Sequence, residues 1–361
     1  MSVREGTRAK RSRDRGKGIK RMVESKDQKI ANWERFIALG ENKASLANFL
    51  CTQLKTTHLA DSSRELILSG GFVDAKEAWS STGRDMSSLS SNHEEAATRI
   101  ILHAQDASLS GFKQVNVICR DTDVIVLLVA HLPRICEHVW MQAGTAKKKR
   151  YIPIHKIDIT DEIRASLLAC HALSGCDTTS QFVGIGKQTA WKTFVTCPHL
   201  LEQLGEHKSP AKQVLDDAEA FVCKLYDSTT KSKLIPQIRS ASFRAKKNID
   251  LLPPTQDALH QHISRANYQT YIWKKAVEPC PCLPLPEQSG WLLVPDENVL
   301  KPRLITSEPI SAACLELTTC GCSASEMRCA TRRCKCIKLN LACTKACACT
   351  SVCSNPKTLD N

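Results

Sequence analysis

Apolar and polar positions along this chain change period several times, and each change marks an element. Residues 1–30 carry almost no large apolar side chains before Met22, so they predict no packed element. A helical stretch around Trp33–Leu54 follows, and Ser80–Asn92 reads as a polar loop. From Glu94 the segment EEAATRIILHAQDA has Ile100, Ile101 and Ala104 on one side and charges at its start, which predicts a helix. VNVIC (115–119) is rich in β-branched residues and predicts a buried strand; the acidic DTD and the apolar VIVLLVAHL come next.

KKKRYIPIHKI reads as a loop leading into another strand, with Tyr151, Ile152 and Ile154 as its apolar members, and Asp161–Leu173 is again helical. Strands alternating with helices predict an α/β domain with a mainly parallel sheet. Residues 197–275 read as mostly helical. CPCLPLPEQSGWLLVPDENVLKPRL is rich in proline and predicts an extended linker. The chain thus divides into a basic arm and helix (1–60), an α/β domain (61–200), a helical extension (201–275), a Pro-rich linker (276–318) and a cysteine-rich module (319–354).

Charge and cysteine content sharpen this outline. The net charge of +13 favours a polyanionic partner, and residues 1–30 alone hold eleven Lys or Arg against four Asp or Glu. That arm suits phosphate contacts or nuclear import; KKKR at 147–150 reads either as a nuclear import signal or as a solvated loop before a strand. The longest apolar run, Val124–Ala130, falls far short of the ~18–20 residues of a membrane span. The N-terminal stretch does not read as a secretory signal, so the nineteen cysteines are expected to be reduced thiols suited to metal. Ten are scattered through the first 314 residues, whereas nine crowd into Cys320–Cys353.

The cluster runs Cys320-x-Cys322, Cys329, Cys334-x-Cys336, Cys343, Cys347-x-Cys349 and Cys353, alternating C-x-C pairs with single cysteines. Zinc takes four thiolates in a tetrahedron. Three ions need twelve bonds, which nine thiolates supply if three bridge two metals each and six are terminal. The resulting charge of −3 would be offset by Arg328, Arg332, Arg333, Lys335, Lys338 and Lys345. With so few large apolar residues, metal must provide most of the folding energy here.

This spacing resembles the CXC domain of tesmin-like proteins and of related chromatin methyltransferases at all nine ligand positions. The resemblance implies binding to double-stranded DNA, with a tyrosine just before the middle C-x-C entering the minor groove. Arg333 occupies that position here, and Lys335 lies inside the pair. Arginine suits a narrow, A/T-rich minor groove, so the family's base preference is not carried over.

A second constellation lies upstream. Phosphodiester hydrolysis by two metals needs converging carboxylates, which α/β sheets present at the carboxyl ends of strands. Asp121 and Asp123 stand where VNVIC ends, Asp177 follows a helix in HALSGCDTTS, and Glu94 and Glu95 open the helix of EEAATRI. Each alone also fits a helix cap or a solvated face.

Their order resembles the flap-endonuclease family of PIN-like nucleases. The resemblance implies metal binding at Glu95, Asp121, Asp123 and Asp177, with Mg²⁺ or Mn²⁺ as the ion. It also implies a backbone-gripping helix–three-turn–helix element at Gly184, Gly186 and Lys187. GIGK is not a nucleotide phosphate loop, since Gln181 and Gln188 stand where glycine and Ser/Thr are needed. Ala97 replaces the second acid of the family's Glu-x-acid pair, and residues 1–60 show no strand ending in aspartate. These departures predict weakened or lost catalysis.

From about Asn42 to Cys353 the chain resembles animal proteins that join such a region to a C-terminal CXC domain, often derived from mobile elements; the missing first strand reads as shortening. His260 and His262 read as surface residues, and Cys170, His171 and Cys176 as buried or incidental. The expected function is nuclear, zinc-dependent DNA binding beside a nuclease-like domain, with no membrane contact. An active Mg²⁺-dependent structure-specific nuclease and a chromatin scaffold that uses the zinc module for protein contacts stay open as alternatives.

Overall fold

The computed structural model describes residues 19–57, 64–145, 147–245, 248–295, 299–306, 319–322, 328–343, 347–349 and 353–355. It forms two compact units, Met1–Leu304 and Ile305–Asn361. The first is a mixed α/β unit with small sheets, and the second holds the cysteine cluster. No described helix is long and apolar enough to cross a membrane.

The first unit begins with an extended segment laid along a helix. Helix α1 (Trp33–Ala38) is capped by Asn32, whose side chain accepts from the Arg35 N–H, and α2 (Gly40–Thr57) follows. Buried Asn42 accepts from the Arg21 N–H and donates to the Ile19 and Phe36 carbonyls, while Ser45 Oγ accepts from the Val23 N–H. Residues 19–23 of the expected basic arm are therefore anchored, because a buried amide on α2 needs partners on its neighbours. Residues 1–18 of that arm lie outside the described residues.

Strands β1 (Ile67–Ser69) and β2 (Ala78–Ser80) pair antiparallel, and α3 (Ala96–Leu109) leads into β3 (Gln114–Ile118). Helix α4 (Thr122–His131) then crosses to β4 (His138–Gly144), which pairs parallel with β3. Strand β5 (Lys149–Pro153) returns antiparallel to β4, so the sheet order is β3-β4-β5. The expected mainly parallel sheet is corrected here: only the β3–β4 pairing is parallel among the described strands. The reason is connection length. A parallel crossover needs a dozen or more residues, and the few between Gly144 and Lys149 can close only a hairpin. Gly144 makes the tight turn possible at φ +90, where an added Cβ would lie 2.3 Å from the Lys148 carbonyl.

β3 is also not the fully buried strand its composition predicts. It is an edge strand with Val117 in the core and Ile118 77% exposed, so β-branched residues here satisfy one buried face only.

Helix α5 (Asp161–Leu173) matches its expected span and is capped by the Thr160 hydroxyl, which accepts from the Ile163 N–H. It packs against α4 and against a long helix from the C-terminal half, α9 (Gln256–Lys274). Between them come α6 (Lys187–Phe194), α7 (Lys212–Tyr226) and α8 (Ile235–Arg244). Leu127, Leu173, Phe194, Phe221 and Trp273 share one apolar core, so the helices after residue 201 complete the same interior as the α/β portion.

The Pro-rich segment is corrected as well. It contains a hairpin, β6 (Trp291–Val294) with β7 (Val299–Pro302), because WLLV and VLKP are β-competent runs and the prolines lie outside or at the end of them. Trp291 and Leu300 pack on Tyr268 of α9, and Arg265 donates to the Gly290 and Arg303 carbonyls.

His262 is a core residue and not the surface residue expected: its Nε2–H donates to the Leu173 carbonyl at 2.8 Å. His131 likewise donates to the Trp273 carbonyl at 2.8 Å. Burial pushes both imidazoles down to about 4 from 6.5. Both are neutral when folded but protonate near pH 6.5 when unfolded, so the unfolded state binds more protons between pH 6.5 and 4. Stability should be level above pH 6.5 and fall toward pH 4 by up to about 2.7 kcal/mol per pH unit from the two together. Denaturant melts followed by tryptophan fluorescence should show this, and His262→Gln should remove about half of the slope.

Candidate functional site

Among the described residues of the second unit, sulfur forms the interior. Cys320, Cys322, Cys329, Cys334, Cys336, Cys343, Cys347 and Cys349 are buried, with Cys353 packed against them. None of the nine is in a disulfide. Sγ–Sγ distances are 3.8 Å for Cys320–Cys329, 3.9 Å for Cys320–Cys343, 3.6 Å for Cys320–Cys349 and 3.7 Å for Cys336–Cys347. A tetrahedron of sulfurs about 2.3 Å from zinc has edges of about 3.8 Å, whereas a disulfide is about 2.05 Å long. The donor set therefore fits a thiolate-bound metal.

Three four-sulfur groups lie within mutual reach: Cys320, Cys336, Cys343 and Cys347; Cys320, Cys329, Cys334 and Cys343; and Cys329, Cys343, Cys349 and Cys353. Cys320, Cys329 and Cys343 are the sulfurs these groups share. Cys322 lies against Cys320, Cys329 and Cys334.

Local structure sorts thiols from cations. The short helix α10 (Lys335–Lys338) starts after Cys334; there Cys334 and Cys336 point inward while Arg332, Arg333, Lys335 and Lys338 are exposed. Asn355 closes the end of the unit by donating to the Leu341 carbonyl and to Cys343 Sγ. The Lys345 position lies outside the described residues.

The upstream carboxylates occupy quite different settings. Asp121 sits three residues beyond β3 and N-caps α4, its Oδ1 accepting from the Asp123 N–H at 3.0 Å. Asp123 is buried in the first turn of α4, with Oδ1 2.9 Å from His171 Nε2. Glu95 precedes α3 but makes no side-chain cap. Its carboxylate, 4% exposed, accepts from Gln269 Nε2 and from the Trp273 indole N–H, each at 3.1 Å. Asp177 is exposed, and the neighbouring Thr178 hydroxyl donates to Gln269 Oε1 at 2.6 Å.

One face of α9 thereby links these segments. Glu95 joins Gln269 and Trp273, Gln269 joins Thr178, and the Trp273 ring lies 5.6 Å from the His171 ring that pairs with Asp123. Among the described residues, however, His, Cys, Asp and Glu side chains outside the cysteine cluster supply no group of three within metal-holding reach.

Sequence reasoning set His171 aside and missed Thr178, Gln269 and Trp273. The available signal was the polar content of HALSGCDTTS and ANYQTYIWKK, which is unusual for segments so apolar at neighbouring positions. His171 faces Asp123; Cys170 is buried, with its thiol pushed up to about 12, which leaves it inert.

Gly184 takes φ +76, and Gly186 N-caps α6 in open space, with no atom within 4 Å of where a side chain would begin. Lys187 Nζ donates to the His171 carbonyl (2.6 Å) and to Ser174 Oγ (2.9 Å). The ammonium thus compensates the C-terminal end of α5, and burial lowers its pKa.

Compared with protein-family models, characterised proteins and solved structures, the chain matches none.

Glu95→Ala should destabilise the first unit by roughly 2–5 kcal/mol in denaturant melts, since it leaves two buried donors without their acceptor. Little change would mean that the carboxylate is not part of the core's hydrogen bonding. Stripping metal with a strong chelator should abolish amide-exchange protection over 319–355 while leaving tryptophan fluorescence unchanged, since all six tryptophans lie before residue 305.

Proposed function

We propose that this chain is a zinc-dependent DNA-binding protein whose C-terminal module holds three Zn²⁺ ions in one nine-cysteine cluster. The observation that carries the reading is the set of three four-sulfur groups that share Cys320, Cys329 and Cys343, since shared sulfurs are what bridging thiolates provide. Zinc supplies structure here: four-coordinate thiolate sites have no open position for a substrate. The exposed row of Arg332, Arg333, Lys335 and Lys338 supports a phosphate-facing surface, with Arg333 as the side chain for a narrow minor groove. The tesmin-like spacing points the same way, and the exposed cations at 147–150 suit nuclear import.

The nuclease-like domain is in this reading a non-catalytic support. Glu95 spends both oxygens on Gln269 and Trp273, Asp121 caps a helix, and Asp123 is paired with His171. An active Mg²⁺- or Mn²⁺-dependent nuclease is the second reading, favoured by Asp121 and Asp123 standing just beyond the carboxyl end of β3. A chromatin scaffold that contacts protein through the zinc module is the third.

Native mass spectrometry should find three zinc ions per chain, and Cys343→Ser should lower that number. Arg333→Ala and Lys335→Ala should each weaken duplex DNA binding and flatten its salt dependence by about one unit of log–log slope. Undiminished duplex binding by a double Arg333→Ala/Lys335→Ala variant would sink the DNA assignment in favour of the scaffold. Incubation with flap, hairpin and duplex DNA in Mg²⁺ or Mn²⁺ should give no cleavage; cutting that Asp123→Asn abolishes would establish the nuclease instead.

A further inference from the structure

Among the described residues, the β3-β4-β5 sheet is covered on one side only. Val117, Val139 and Met141 face the core. At the alternate positions the register sets Asn116 beside Trp140 and Pro153, and Ile118 beside Gln142 and Tyr151. Gln114, Asn116, Ile118, Trp140, Gln142 and Tyr151 line a shallow hollow of about 450 Å³ on this outer face. Tyr151 is 57% exposed. His155 stands edge-on to the Trp140 ring, centroids 5.3 Å apart, and is held there by an Nδ1–H bond to the Val139 carbonyl at 2.9 Å.

All-parallel sheets are covered on both faces, whereas a sheet with antiparallel pairing can leave one face open to solvent and to a ligand. Its chemistry is specific. The three strands, QVNVI, HVWMQAG and KRYIP, contain no Asp or Glu, and the outward positions carry amides and aromatic rings. Lys147, Lys148, Lys149 and Arg150 are all exposed at one end, where Lys149 pairs with Gly144 next to the Ile118–Gln142–Tyr151 row. Glu137 lies at the other end, 3.9 Å from His138.

Protein-docking faces are apolar at the centre and poor in lysine, which this surface is not. Stacked base pairs in a duplex hide the base faces that aromatic rings could contact. Unpaired bases, in contrast, stack on exposed rings, offer edges to amides, and bring phosphates that need cations.

We propose that this open sheet face binds single-stranded nucleic acid, with bases stacked on Tyr151 and Trp140, amides of Asn116 and Gln142 reading base edges, and phosphates held by Lys149 and the neighbouring Lys147 and Lys148. The site is separate from the zinc module and does not depend on its reading. It would give the chain a second nucleic-acid surface with a different preference, for unpaired strands.

The test uses the full zinc-loaded chain with a fluorescein-labelled oligothymidylate and, separately, a labelled duplex, followed by fluorescence anisotropy. Tyr151→Ala should weaken single-strand binding at least about fivefold, the scale of one lost stacking contact. Tyr151→Phe, which keeps the ring, should retain affinity. Lys149→Glu, on the same face as Tyr151, should weaken binding and reduce its salt dependence. Tyr151 is exposed, so its truncation leaves no core cavity, and unchanged melting would establish that the variant is folded.

Photocrosslinking of a bromouridine-substituted strand should map to peptides spanning 114–153. Equal single-strand affinity of Tyr151→Ala and the parent chain would overturn the proposal. So would a dimer that Tyr151→Ala dissolves in sedimentation velocity without any single-strand binding, since the occupant would then be a second copy. Loss of duplex binding on Arg333→Ala bears on the zinc module alone and leaves this outcome distinct.

Discussion

Helix α9 carries Arg265, Asn267, Gln269 and Thr270 as buried residues, and each buried polar group on it needs a partner that water cannot supply. The partners come from across the chain. Asn267 accepts from the Gly205 N–H and donates to the His207 carbonyl, Arg265 holds the Gly290 and Arg303 carbonyls, and Gln269 bridges Glu95 and Thr178. His262 adds the end of α5. Every one of these contacts fixes a loop or a helix end whose backbone would otherwise be held only by nonspecific packing. The core therefore has one allowed arrangement around α9, because shifting any of these segments would strand a buried donor or acceptor.

That constraint bears on the carboxylates. A two-metal site needs oxygens that are free to bind cations, in a pocket that admits water and substrate. Glu95 lies instead between an amide and an indole, and Asp123 lies against an imidazole. The same acids that would form a metal site when facing a cleft serve as hydrogen-bond acceptors when a helix from the C-terminal half closes over them. Asp121 remains at the surface as a helix cap.

The two units solve the problem of a small interior in different ways. Met1–Leu304 buries enough aliphatic and aromatic surface to have a continuous core. Among the described residues, Ile305–Asn361 has thiols where a core would be, with Arg332, Arg333, Lys335 and Lys338 outside. In the first unit, polar groups inside are exceptions held by specific partners. In the second, thiols are the interior, and once deprotonated their mutual repulsion would be relieved by a bound metal.

Local patterns were sufficient for much of this. The helices at Asp161–Leu173 and around His260–Lys274, the strand-end position of Asp121 and Asp123, and the nine-thiol module all follow from spacing, since period and ligand intervals are properties of adjacent residues. What adjacent residues could not determine was which surfaces meet. The antiparallel return of β5 depended on the shortness of one connection, and the hairpin of β6 and β7 depended on α9 offering Tyr268 and Arg265 as its seat. The role of Glu95 was decided by Gln269 and Trp273, more than 170 residues away. A carboxylate's chemistry is set by what stands opposite it, and only tertiary packing brings that group into place.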